Sequence, residues 1–248
     1  MSNTLIVGEQ TVEYELIGRG KPCIIFLNGF GARIASWNKV IPDIADVGTL
    51  LLYNRAGIGK SSKATTKQSG DVVIATLREV LKSLQLAPPY IIVGWSIGGL
   101  FANLFARMYP SETQAVVFVE SSSSNPDEVK TLLAHVSPLV KMIERLEKFI
   151  YRLFPNSGNW EYSLIEESRA LVRGAGVFPE IPIVVLSGAK TSWLRSKSLA
   201  EAGVALDGEL AALTSSGRHV ITVKSGHVLG WTEPELVIDA IRSVISKS

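Results

Sequence analysis

Eight short apolar runs punctuate the chain, at residues 4–7, 11–17, 22–28, 49–53, 90–95, 115–120, 181–187 and 219–224. Several of them, such as Cys23-Ile24-Ile25-Phe26-Leu27, are apolar at every position rather than at alternate ones. A strand that is apolar throughout is one buried on both faces, as in a parallel sheet. From Pro22 onward, helical patterns separate the runs. Residues 71–86 place Val72, Val73, Thr76, Leu77, Val80, Leu81 and Leu84 on one face before Pro88-Pro89. Leu100, Phe101, Leu104, Phe105 and Met108 recur at a spacing of three to four and stop before Pro110. The last helix opens on Thr232-Glu233-Pro234-Glu235, which reads as a capping box, and turns Val237, Ile238, Ile241, Val244 and Ile245 inward. This alternation predicts an α/β fold, a mostly parallel eight-stranded sheet with helices on both faces. The first two strands, joined by Gly8-Glu9-Gln10, read as an antiparallel hairpin at one edge.

One stretch breaks the beat. Between the sixth and seventh strands, Leu132, Val136, Leu139, Val140, Ile143, Leu146, Ile150 and Leu153 repeat at helical spacing across Pro138, with Phe149, Tyr151, Phe154, Trp160 and Tyr162 nearby. The expectation is one core of residues 1–120 and 181–248 with a helical lid at 121–180, whose apolar underside lines a pocket. The alternative is a longer crossover without a ligand role.

Composition narrows the partners. The 248 residues are 46% hydrophobic, enough for one large core. Twenty-five basic and 23 acidic residues leave a formal charge of +2 without any long block of one sign, so neither nucleic acid nor an anionic membrane is expected as a partner. The longest apolar runs, 115–119 and 181–186, fall well short of the roughly 20 residues of a membrane span. Residues 1–10 lack the pattern of a secretory leader, which points to a cytoplasmic protein. Cys23, the single cysteine, reads as a buried structural thiol. The three histidines have no metal-ligand spacing, and neither metal nor cofactor is expected.

Candidate chemistry centres on Gly94-Trp95-Ser96-Ile97-Gly98, which links the run Tyr90-Ile91-Ile92-Val93 to helical sequence. A serine in a tight strand-to-helix turn projects its hydroxyl away from the backbone, in front of a helix N-terminus. Such a nucleophile needs a base, a group to orient the base, and donors for an oxyanion. His227 follows the last strand in Ser225-Gly226-His227 and so emerges at a strand's C-terminal end, where open α/β sheets place their sites. His219 begins that strand and reads as structural, whereas His135 falls in the lid, where it could touch substrate. Glu120, a charge ending the apolar run Ala115-Val116-Val117-Phe118-Val119, calls for a partner and is the leading acid. Asp127, Glu128, Asp207 in a predicted surface helix, or a His-Ser dyad without acid remain alternatives. Gly59-Lys60-Ser61 looks like the end of a P-loop, but the pattern needs glycine at position 54, which is Asn54, and a polar loop follows.

Together these residues resemble the α/β-hydrolase family over nearly the whole chain. Asn28-Gly29-Phe30-Gly31 is similar to its His-Gly oxyanion turn, Trp37 recurs after it, and Tyr53-Asn54-Arg55-Ala56-Gly57-Ile58-Gly59-Lys60-Ser61-Ser62 resembles its "YDRxGxGxSS" stretch. The family's usual histidine and aspartate are Asn28 and Asn54 here, and its usual acid position lies in Gly188-Ala189-Lys190-Thr191-Ser192-Trp193, which has no carboxylate. Some branches carry the acid where Glu120 stands. The resemblance implies Phe30 and Ile97 amides as oxyanion donors and a serine hydrolase cleaving an ester-like bond of a small, partly apolar molecule through an acyl-enzyme. Asn28, Trp95, His135 and Val228 are expected at the substrate pocket. C–C hydrolase, lactonase and cofactor-free haloperoxidase share these residues, and a slow-turnover ligand receptor on the same fold is the rival from another class. Epoxide hydrolase and haloalkane dehalogenase are disfavoured, since they use aspartate as nucleophile.

Overall fold

The computed structural model describes residues 2–125, 161, 164–192 and 196–245. Eight strands form one sheet: β1 (Asn3–Val7), β2 (Gln10–Gly18), β3 (Cys23–Leu27), β4 (Thr49–Tyr53), β5 (Tyr90–Trp95), β6 (Thr113–Val119), β7 (Ile183–Gly188) and β8 (Arg218–Thr222). Their order is β1-β2-β4-β3-β5-β6-β7-β8, with β1–β2 and β2–β4 antiparallel and the remaining pairs parallel. Each apolar run of the sequence is one of these strands.

Strands β3 to β7 are buried on both sides, which is why they are largely apolar, whereas β8 is a partly exposed edge strand that begins Arg218-His219. Ile25, Leu27, Ile92, Phe118 and Val185 face a core shared with α1 (Gly70–Ser83), α2 (Ile97–Met108) and α3 (Ile165–Gly174). Ile24, Phe26, Val93, Val117 and Leu186 face the opposite core, closed by the 3-10 turns Ile34–Trp37 and Ile41–Ile44, by α5 (Leu229–Thr232) and by α6 (Pro234–Ile245). Helix α4 (Lys197–Ala211) precedes β8 and sends Leu210 into the first core. Cys23 is 5% exposed, and burial pushes its thiol up to about 11, so it is an inert part of the core.

Of the stretch 121–180, most of the predicted lid, with His135, Asp127 and Glu128, lies outside the described residues. Its last part, α3, is a layer of the main frame: Ser168 and Val172 are buried, and the Ser168 hydroxyl accepts the Gly70 amide at the start of α1 (3.0 Å). Arg169 and Arg173 donate to the carbonyls of Ser123 and Ser124 and so hold the chain leaving β6. Two local expectations are corrected. The Thr232 hydroxyl donates to Ser225 Oγ and the Val228 carbonyl instead of serving a capping box, because the loop after β8 packs against it. Asp207 is 5% exposed rather than on a helix surface, since its carboxylate accepts Ser187 Oγ on β7 at 2.6 Å.

Candidate active site

Ser96 stands between β5 and α2 with φ 55° and ψ −121°, a left-handed conformation unusual for a residue with a side chain. The turn is tight because its flanks lack side chains. A Cβ on Gly94 would lie 2.6 Å from the Gly98 carbonyl oxygen, and one on Gly98 would lie 2.1 Å from the Leu27 carbonyl oxygen. The second contact also brings the end of β3, and with it the turn Asn28–Gly29–Phe30, against the start of α2. Ile97 opens that helix, where the first amides have no carbonyl one turn back to bond. The Ser96 amide donates to Val119 O (3.1 Å) and its carbonyl accepts Ser122 N (3.0 Å), which ties the turn to the end of β6.

Glu120, the residue after β6, is likewise left-handed (φ 46°) and 8% exposed. One carboxylate oxygen accepts the Gly188 amide and the other, Oε2, lies 3.5 Å from His227 Nδ1. The end of β7, just before the loop where the family resemblance would place a carboxylate, thus contributes a backbone donor to Glu120 instead. The imidazole of His227 is 57% exposed. Its loop is held from below: the Ser225 carbonyl accepts Lys190 N at 3.0 Å, and the Glu233 carboxylate accepts Thr222 Oγ1 at 2.7 Å. The Ser225 hydroxyl, together with Thr222 and the charge of Lys224, holds the Glu233 carboxyl below the usual carboxylate range.

Trp95, next to the serine, joins the parts. Its Nε1 donates to the His227 carbonyl (2.8 Å), its ring lies 5.7 Å from the imidazole, and it packs so closely on Gly29 that a Cβ there would sit 2.9 Å from the indole. With Val228, Trp37, Gly230 and Trp231 it lines a cleft of about 220 Å³ beside the His227 loop.

Asn28, expected at the pocket, is turned into the core instead. It is 1% exposed, accepts Trp37 Nε1 at 2.7 Å and donates to the Tyr53 carbonyl at 3.1 Å, so both ends of its amide are engaged internally. Asn54 is also internal. It donates to Glu13 Oε2 (2.7 Å) and accepts the Ile34 amide (2.9 Å), and a carboxylate there would face a second buried carboxylate. His219 reaches Ser187 Oγ at 2.6 Å and through it Asp207, a cluster separate from His227. Burial lowers the His219 pKa from its ordinary value.

Sequence reading missed Arg55. It is 3% exposed and hydrogen-bonds the carbonyls of Asn28 (2.8 Å) and Gly29 (2.9 Å) as well as the carboxylate of Glu161. Its signal in the sequence is a charge among the apolar and small residues of Tyr53-Asn54-Arg55-Ala56-Gly57, which the motif alone does not distinguish from a surface position. Among the described residues, no group of three His, Cys, Asp or Glu side chains could hold a metal ion, and no helix is long and apolar enough to cross a membrane.

A family model of the alpha/beta hydrolase fold matches residues 22–165. A pimeloyl-[acyl-carrier protein] methyl ester esterase of Klebsiella pneumoniae is 33% identical over 110 residues, which are 44% of this chain and 40% of that protein. The chain therefore spans less than half the length of that curated relative. Among solved structures, the enol-lactonase of Burkholderia xenovorans superposes with a TM-score of 0.73 at 15% identity, covering 98% of this chain and 100% of that one. An epoxide hydrolase superposes at 0.72 with 16% identity, covering 100% and 99%. At these identities the two structures bear on the fold alone.

Proposed function

The chain belongs to the alpha/beta hydrolase fold family, and from that premise we propose that it is a serine hydrolase acting on an ester-like bond of a small, partly apolar substrate. Ser96 Oγ attacks the carbonyl carbon while His227 takes its proton. The tetrahedral oxyanion is met by the amides of Phe30 and Ile97. His227 returns the proton to the leaving alcohol, the C–O bond breaks, and an acyl-enzyme remains. Water, deprotonated by the same imidazole, then releases the acid. Glu120 fixes the imidazole tautomer through Nδ1 and balances the charge it gains.

The observation that carries this reading is the carboxylate of Glu120 3.5 Å from His227 Nδ1, at the sheet edge where Ser96 occupies its left-handed turn. The esterase relative agrees with an ester as the class of bond, and Trp95 and Val228 in the cleft agree with an apolar substrate part. Labelling with a fluorophosphonate probe tests it. The wild type is expected to label at one site and Ser96→Ala at none, and labelling that persists in Ser96→Ala refutes the assignment. A p-nitrophenyl ester series of increasing acyl length then reads the substrate preference and separates an enzyme from a slow-turnover receptor.

A further inference from the structure

Arg55 lies beneath the turn after β3 and spends its guanidinium on three groups. Nη1 donates to the Asn28 carbonyl at 2.8 Å, Nη2 to the Gly29 carbonyl at 2.9 Å, and Nε and Nη2 form a forked pair with the two oxygens of Glu161, the Nη2 bond being 2.8 Å. Both side chains are almost fully buried, at 3% and 1% exposure. The guanidinium also stands 5.4 Å from the ring of Phe101, on the first turns of α2 behind Ser96. A buried fork of this kind is geometrically demanding, and lysine cannot reproduce it.

The Gly29 carbonyl and the Phe30 amide are the two ends of one peptide group. That group is planar and trans, so its C=O and N–H point in opposite directions. A cation bound to the oxygen therefore aims the N–H away from Arg55, and it polarises that N–H as a donor. The Ala32 amide also donates to Gly29 O, at 3.2 Å, and completes the fixing of the plane.

Building on the reading of Phe30 as an oxyanion donor, we propose that Arg55 is a positioning residue that sets the direction and strength of that donor, held in place by Glu161. Glu161 lies in the chain between β6 and α3, and the guanidinium of Arg55 joins it to the carbonyls of the oxyanion turn.

The full chain carrying Arg55→Lys, Arg55→Met or Glu161→Gln tests this, with Arg78→Met, which breaks the remote Arg78–Glu112 pair, as a control. Active sites are counted with the fluorophosphonate so that misfolded protein does not enter the rates. Arg55→Lys is expected to lower kcat on a short p-nitrophenyl ester by about tenfold to a hundredfold, with KM nearly unchanged. A trifluoromethyl ketone, which mimics the oxyanion, should lose affinity by the same factor, whereas a substrate-like amide should not. Glu161→Gln is expected to shift kcat in the same direction by less, and Arg78→Met not at all. Should Arg55→Lys or Arg55→Met fail to fold, Glu161→Gln carries the test. Unchanged kcat in the folded variants, or a loss confined to KM, overturns the proposal. Turnover that survives Ser96→Ala would instead overturn the hydrolase reading itself, so the two failures are distinguishable.

Discussion

Glu120 Oε2 lies 3.5 Å from His227 Nδ1 while the other oxygen of the same carboxylate accepts the amide of Gly188. One acid after β6 thus bridges the end of β7 and the loop that follows β8. Glu120→Gln is expected to lower kcat by roughly 10³-fold or more with KM little changed, because the tautomer and charge of His227 are no longer set. Asp207→Asn should leave turnover near wild type and lower stability instead, since Asp207 serves Ser187. Steady-state kinetics and urea unfolding of the two variants check this, and the reverse ranking would exclude Glu120 as the acid.

Gly98→Ala removes the closeness of the turn to β3. The added methyl would stand 2.1 Å from the Leu27 oxygen and 2.7 Å from the Asn28 oxygen, both backbone atoms that cannot step aside alone. A loss of about 2 kcal/mol or more in unfolding free energy is expected from such overpacking, together with loss of fluorophosphonate labelling. Urea midpoints and probe labelling measure the two effects separately.

Asn54→Asp, the change toward the family's common residue, is expected to destabilise. It would set a second carboxylate against Glu13 Oε2, where the amide nitrogen now donates at 2.7 Å. The expected cost is about 3 kcal/mol for a buried like-charge contact. Glu13→Gln in the same chain should recover much of it, and a double-mutant cycle in urea should give a coupling on the order of 1–3 kcal/mol. Additive effects would argue against this account of Asn54.

Acid should weaken the fold over two pH ranges, to which His219 and Glu233 contribute for different reasons. Burial holds His219 below its ordinary 6.5, so the unfolded chain binds this proton first and stability falls as pH drops below 6.5. The hydrogen bond from Ser225, with that from Thr222, holds Glu233 below 4.5, so its contribution is whole above 4.5 and is lost as pH falls through the depressed value. His219→Gln should flatten the fall in the upper range, and Glu233→Gln should lower stability at neutral pH while flattening the fall in the lower one. Thermal melts from pH 3 to 8 resolve them, and unchanged limbs in either variant refute that assignment.

The elements most legible in the sequence are those whose signal is local. β3 and β5 declare themselves because a strand buried on both sides must be apolar at every position, and Glu120 stands out because a charge ending such a strand demands a partner. The turn at Ser96 is readable because only glycine tolerates the approach of Gly98 to Leu27 O. The misreadings are of the opposite kind. Asp207 has a helix pattern around it but a serine on β7 as its partner, and Asn28 has a motif around it but Trp37 and Tyr53 as its partners.

By itself, then, the sequence determined the sheet, the turn that presents Ser96, and the strand ends where Glu120 and His227 emerge. Periodicity and turn chemistry act over a few residues and leave their mark in order along the chain. Only the tertiary structure decided that Trp95 would bind the carbonyl of His227, 132 positions away, and that Arg55 would meet Glu161 across 106. The first is set by which loops the closed sheet brings side by side, and the second by the need of a buried charge for a partner, conditions that exist only once the chain has closed around them.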